Sequence, residues 1–403
     1  MFTATSSSGR TVSLLSDADR AHIESNTEWY CPICKECLQL KKGKKRRTHF
    51  AHHPNTVCPS SNPESERHLE GKALLFQWLK AQGADVRLEA FLPESNQRAD
   101  LLVKNKNETI ALEYQCSTVD RELIRRRTTL YQSIGVQVIW VMPFDHLRRK
   151  ENVVYLKEWQ WEAAYFGDAP EAPDIDLPRM PSLFYFQPPS ILWTAHINAY
   201  LSPKKAHARF IAHRLPQSTL ERVRTSVVVP DNVQRSALLT YKKEARYGKR
   251  PPSTPFSTFV QTQLLREKIP LHLHPAEAGW FLPWQTWVSE SPVLWQSWLF
   301  LQILSHFKRQ TFVSSQSLER EKQLLSSYLR IPIARVQLLI TAYFRFLTRL
   351  RVLMCHADDT FTLVQTPRLP QSADEGFAMD QRYASLTRPT NDSVALSGSF
   401  PVL

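Results

Sequence analysis

The sequence predicts a mixed α/β core built in the order αβββαβ, with a small metal-stabilised module before it and a mainly helical region after it. Three observations carry this expectation. First, Asn62-Pro63 offers a helix N-cap followed by proline at the first helical position, and Leu69, Ala73, Phe76 and Leu79 then recur at helical spacing. Second, three short runs rich in strand formers follow near 86–92, 97–103 and 109–115, and the polar turn Lys104 to Glu108 joins the last two as a hairpin. Third, a helical pattern near 119–133 leads into Val136 to Met142, an apolar run that reads as a fully buried strand.

The 403 residues suffice for two or three domains, and 42% hydrophobic side chains can fill their cores. The expected layout is a module over 1–60, the α/β domain over 61–165, a proline-rich linker over 166–190, a basic helical domain over 191–366 and a disordered tail over 367–403. No run of about 18 apolar residues occurs, and Met1 to Arg10 lacks the layout of a secretory signal. The expectation is a soluble, cytoplasmic chain without membrane insertion. The net charge is +13, unevenly spread: residues 61–165 hold 15 basic and 15 acidic side chains, whereas 166–366 hold 24 and 14. That division suits a neutral part that does chemistry and a basic part that grips a polyanion.

Two carboxylates mark the α/β domain. Asp100 and Glu113 flank the hairpin, and side-chain alternation turns Glu113 and Gln115 to one face, toward Asp100 if the register allows. Such a pair can hold Mg²⁺ or Mn²⁺, which polarises a phosphodiester and lowers the pKa of bound water. Glu64, His68 and Lys72 recur every four residues and share a face of the preceding helix, able to close over the carboxylates. Glu89 is a further acidic candidate, and Arg127 and Tyr131, four apart on the next helix, are candidates for phosphate contact.

A second constellation lies near the start of the chain. Cys31 and Cys34 form a knuckle, and His49 and His52 supply two imidazoles, together a closed structural Zn²⁺ site. The His-x2-His gap is short, so Cys37, His53 and Cys58 stand as substitutes. Between the pairs, Lys41, Lys42, Lys44, Lys45, Arg46 and Arg47 form a basic loop, read either as a phosphate contact or as a solvated turn. In the C-terminal half, the helical stretches Glu319 to Arg330 and Ile333 to Leu350, followed by two short strand runs, outline a winged-helix module over 317–365. A plain helical bundle that only packs on the α/β domain is the preferred reading.

At Cys31-Pro-Ile-Cys34, His49-Phe-Ala-His52, Glu64 to His68 with Lys72, Arg98-Ala-Asp100, Glu113-Tyr-Gln-Cys-Ser117, Arg127 with Tyr131, and Val138-Ile-Trp-Val141, the chain resembles the competence protein CoiA family. The resemblance covers about residues 29–142 and implies a zinc-binding module joined to a restriction-endonuclease-like, PD-(D/E)xK-type nuclease domain. It implies a cytoplasmic protein of naturally transformable bacteria that acts on single-stranded or branched DNA, with recombination or DNA-uptake proteins as possible partners. One departure stands out: Gln115 occupies a position where many such nucleases carry lysine, and an amide cannot neutralise developing charge. Lys72 is the nearest candidate to replace that cation. A catalytically inactive DNA-binding factor is the alternative reading.

Overall fold

The computed structural model describes residues 1–16, 19, 23, 27–42, 47–58, 64–105, 108–167, 181–226, 232–248, 253–308, 311–364 and 366–386. The N-terminal module is a five-stranded sheet ordered β2-β1-β3-β4-β5, from β1 (Thr3–Ser6), β2 (Thr11–Ser13), β3 (Trp29–Tyr30), β4 (Cys37–Lys41) and β5 (His49–His52). Sequence reading gave this module too little apolar content to fold by packing alone. The structure supplies the missing core from outside: Phe2, Ala4, Val12, Trp29 and Phe50 are buried in one cluster with Leu69, Ala73, Leu75 and Leu79 of the next domain.

The αβββαβ order follows, as α1 (Glu66–Ala81), β6 (Asp85–Leu92), β7 (Gln97–Lys104), β8 (Thr109–Tyr114), α2 (Arg121–Gln132) and β9 (Val136–Pro143). Ser65 caps α1, its side chain accepting from the His68 amide at 3.2 Å; the expected cap Asn62 lies outside the described residues. Strands β6, β7 and β8 pair antiparallel, and β8 pairs parallel with β9, so β8 and β9 require the α2 crossover between them. Burial on both faces explains why Val138 to Met142 reads as an unbroken apolar run, preceded by the half-buried Gln137.

The sheet does not stop at residue 165. After the hairpin of β10 (Arg148–Lys150) and β11 (Val153–Tyr155) and the short helix α3 (Glu158–Glu162) come β12 (Ser182–Gln187), β13 (Ile191–Ser202) and β14 (Lys205–Arg214). These complete a nine-stranded sheet ordered β10-β11-β14-β13-β12-β9-β8-β7-β6. The expected linker over 166–190 therefore contains a strand, and the expected helical domain begins with two more. The prolines that suggested a linker flank β12 on both sides, up to Pro181 and again at Pro188 and Pro189, and the apolar run Leu183 to Phe186 between them is buried between β9 and β13.

Beyond α4 (Leu220–Arg224) the chain is helical, with α5 (Asn232–Tyr247), α6 (Pro255–Arg266), α7 (Pro292–Phe307), α8 (Glu319–Leu329) and α9 (Ile333–Arg349). A three-stranded sheet ordered β15-β17-β16 joins β15 (Val313–Ser314), β16 (Leu353–Cys355) and β17 (Thr360–Leu363). The expected tail holds a further helix, α10 (Ala373–Leu386), pinned by Asp380, which lies 2.6 Å from Arg246 and 2.9 Å from Lys242 in a fully buried ionic cluster on α5. Residues 387–403 lie outside the described residues. Among the described residues, no helix is long and apolar enough to cross a membrane.

Candidate active site

The polar face of α1 lies beside its apolar stripe, and β6 and β7 bring three carboxylates under it. Lys72 is fully buried, with its ammonium 2.8 Å from Glu64 Oε1, 2.5 Å from Glu89 Oε1 and 3.8 Å from Asp100 Oδ1. His68 Nε2 lies 3.0 Å from Asp100 Oδ2, and its Nδ1 lies 3.7 Å from Glu64 Oε1. The β7–β8 pairing ends at Leu101 opposite Leu112, and just beyond it the Tyr114 amide donates to Asp100 Oδ2 at 3.0 Å. Asp100 thus sits where the ladder opens, its side chain accepting in place of a backbone carbonyl.

Burial opposes charge on every group in this cluster, and the neighbours overcome it. Asp100 is held well below the usual carboxylate range against the cost of burial, by His68 first and then by Lys72 and the Tyr114 amide. Glu64 is likewise held low despite burial, chiefly by Lys72. Burial would lower His68, but the Asp100 carboxylate outweighs it and raises the imidazole above its ordinary value. The side chains of Glu64, Asp100 and His68 keep 10%, 12% and 16% exposure, so they border the surface and can be reached by a ligand. One ligand atom from each lies within 4.8 Å of the others, a separation that fits a single cation. Two carboxylates and an imidazole suit Mn²⁺ at least as well as Mg²⁺, which favours oxygen donors alone.

Glu89 does not join them. Its carboxylate accepts the Phe2 amide at 2.9 Å, the Thr3 amide at 3.0 Å and the Thr3 hydroxyl at 2.7 Å, as well as Lys72. It is a tether between β1 and the sheet. Its backbone stands in the left-handed region at φ 52°, a conformation that these bonds hold against its intrinsic cost.

The expected pairing of Asp100 with Glu113 at one metal is not what the geometry assembles. Glu113 Oε1 accepts Arg127 at 2.7 Å and also the Tyr131 hydroxyl, and Arg127 is fixed in turn by Gln97 Oε1 at 2.9 Å. Burial raises the Glu113 carboxyl, with Arg127 opposing and Asp100 adding to the rise. Arg127 and Tyr131, expected at phosphates, hold Glu113 instead. Gln115 turns away: its amide donates to the Ser117 carbonyl at 2.9 Å and hydroxyl at 3.0 Å. Its backbone amide still donates to the Val141 carbonyl at 2.9 Å, so it is the bonds to Ser117 that hold the side chain.

Sequence reading missed three supporting residues. Arg98 lies 3.3 Å from Glu64. Tyr114 stacks on His68 with ring centroids 6.1 Å apart, and Gly71 makes room for it, since a Cβ there would meet the Tyr114 ring at 2.1 Å. Arg98 was visible beside Asp100 in the chain; the Gly71–Tyr114 contact joins distant positions and carries no local signal.

In the N-terminal module, Cys31, Cys34, His52 and Cys58 present ligand atoms within 4.8 Å of one another. Cys31 and Cys58 sulfurs are 4.0 Å apart, close to the roughly 3.8 Å edge of a tetrahedron with Zn–S bonds of about 2.3 Å, so three thiols and an imidazole fit zinc. His49 stands apart, its Nδ1 2.9 Å from the Arg47 carbonyl. The reason is β5 itself: residues three apart on a strand face opposite sides, so His49 and His52 cannot share an ion. Cys58, an expected substitute, completes the group, whereas Cys37 and His53 do not join it. Of the basic loop, Lys41, Lys42 and Arg47 are exposed, and Lys44, Lys45 and Arg46 lie outside the described residues.

Three family models match successive parts of the chain: "Competence protein CoiA, N-terminal domain" at residues 14–61, "Competence protein CoiA, nuclease-like domain" at 64–227 and "Competence protein CoiA, C-terminal domain" at 233–376. The chain belongs to the competence protein CoiA family. The nuclease-like match ends at 227, in agreement with a large sheet that runs through β14. The chain is also similar to the competence protein CoiA of Bacillus subtilis (strain 168), 36% identical over 136 residues. That match spans 33% of this chain and 36% of the relative's length. No solved structure matches significantly.

Proposed function

We propose that the protein is a metal-dependent deoxyribonuclease that hydrolyses phosphodiester bonds of DNA, single-stranded or branched, taken up or recombined during natural transformation. The observation that carries this reading is the convergence of Glu64, His68 and Asp100 beside the buried Lys72, within a nuclease-like domain. Glu64, Asp100 and His68 are the residues that would hold Mn²⁺ or Mg²⁺, which when bound polarises the phosphate and lowers the pKa of water for in-line attack. Lys72 keeps Glu64 and Asp100 ionised and so ready to bind a cation. Tyr114 and Gly71 fix the His68 ring. Glu113, locked by Arg127 and Tyr131, stiffens the base of the site, and Zn²⁺ on Cys31, Cys34, His52 and Cys58 is structural in this reading.

The alternative, a DNA-binding factor of nuclease-like fold without chemistry, draws on one observation: Gln115 faces Ser117 and offers no cation at the site. Cleavage of labelled single-stranded, duplex and branched DNA, with Mn²⁺ or Mg²⁺ and without added divalent cation, separates the two. Hydrolysis that needs the metal and disappears in Asp100→Asn and Glu64→Gln supports the nuclease. Binding of all three DNAs with no cleavage under any of these conditions supports the alternative.

A further inference from the structure

The order α7-β15-α8-α9-β16-β17, with β17 paired to both β15 and β16, is that of a winged helix, whose second paired helix enters a DNA groove. One side of α9 is buried through Val336, Leu339, Ile340, Tyr343 and Leu347. The other carries Arg345 and Arg349, with Arg351 just beyond the helix. Among the described residues, these three guanidinium groups have no carboxylate partner.

The first turn of α9 is engaged elsewhere. Arg335 pairs with Glu162 of α3 and stacks over the Trp287 ring at 4.5 Å. The Glu162 side chain has no exposure and is shared with Arg121 Nε at 3.0 Å and Arg125 Nε at 3.6 Å, both from α2. Arg125 also reaches across the seam to the Arg330 carbonyl at 3.3 Å. Arg125 also pairs with the exposed Glu122 at 3.0 Å, so three guanidinium groups meet two carboxylates at the seam, and Arg125 Nε has no hydrogen-bond acceptor. Buried cations in excess of anions make a seam that another anion can enter.

We propose that the module over β15 to β17 is a duplex-DNA-binding surface held docked on the nuclease-like domain by Glu162, and that DNA phosphates release it by competing for the arginines that Glu162 shares. Arg345, Arg349 and Arg351 make the first phosphate contacts, and release frees the first turn of α9 for the groove. The seam lies on α2, whose Arg127 also holds Glu113 of β8 at the base of the acidic site, so docking and that base share one element.

The test is duplex binding by the full chain at several salt concentrations without added divalent cation, so that failure of the nuclease reading leaves it intact. Glu162→Gln is expected to tighten binding by roughly fivefold or more, the usual lower bound for coupling between sites. Adding Arg345→Ala and Arg349→Ala should abolish that gain and reduce the slope of log affinity against log salt by about 2. Unchanged or weaker binding by a folded Glu162→Gln protein overturns the proposal, as does a gain that survives the arginine substitutions. Should Glu162→Gln fail to fold, hydrogen exchange of the wild-type chain decides. Faster exchange over 158–163 on adding duplex supports release, and unchanged or slower exchange overturns it.

Discussion

Lys72 carries its charge to a fully buried position, 2.8 Å from Glu64 and 2.5 Å from Glu89. A buried ion pair contributes little net stability against an apolar substitute, but removing one partner leaves the other charges uncompensated, at about 3–5 kcal/mol. Lys72→Met is therefore expected to lower the unfolding free energy in urea by about that amount and to abolish cleavage. A loss under about 1 kcal/mol would show that Glu64 and Glu89 find other partners. His196 makes a pH prediction. Burial lowers its imidazole to about 4, and its nitrogens lie 2.9 Å from the Ser182 hydroxyl and 3.1 Å from that of Ser226. The folded state resists protonation that the unfolded chain accepts near pH 6.5, so stability present above 6.5 is lost as pH falls toward 4. The size is on the order of 3 kcal/mol. The difference in stability between wild type and His196→Gln, measured across this window, should shrink as pH falls; a constant difference would refute the assignment.

At the scale of elements, the metal module gives a test that sequence spacing alone gets wrong. Zinc content per chain is expected to fall in Cys58→Ser, with loss of the N-terminal sheet by hydrogen exchange, and to stay unchanged in His49→Ala. The opposite pattern would restore the His49–His52 pair. Spacing showed Cys31 and Cys34 because a knuckle is local, and it left the fourth ligand open because Cys58 arrives from beyond β5. Helix α1 was legible in the same way. Its stripe and its His68-Lys72 face both follow from a period of 3.6, whereas Glu64, expected on the same face, precedes the Ser65 cap, and the burial of Lys72 depends on β1 closing over Glu89, which no local pattern records.

Across the whole molecule, the αβββαβ order was readable because each element is short, periodic and bounded by turn residues. The rest of the sheet was not. Proline richness on both sides, through Pro189, masked β12, and β13 and β14 were assigned to a helical region although together they form the longest hairpin in the sheet. The pairing of β12 with β9 and of β14 with β11 is a long-range property. The same limit applies to the N-terminal module, which borrows its core from α1 and so could not be judged from its own composition. A chain folded this way is expected to lose its zinc module and its acidic site together, since Glu89 ties the Phe2 and Thr3 amides to Lys72 beside that site.

The most direct measurement is cleavage of labelled DNA with Mn²⁺ by four proteins: wild type, Asp100→Asn, His68→Ala and Gln115→Ala, alongside their Mn²⁺ affinities. If Glu64, His68 and Asp100 hold the ion, Asp100→Asn and His68→Ala lose both Mn²⁺ binding and cleavage, while Gln115→Ala keeps both within about threefold, or under roughly 1 kcal/mol. Loss of activity in Gln115→Ala with retention in His68→Ala would place the reacting centre beside Glu113 and contradict the site assigned to α1 and β7.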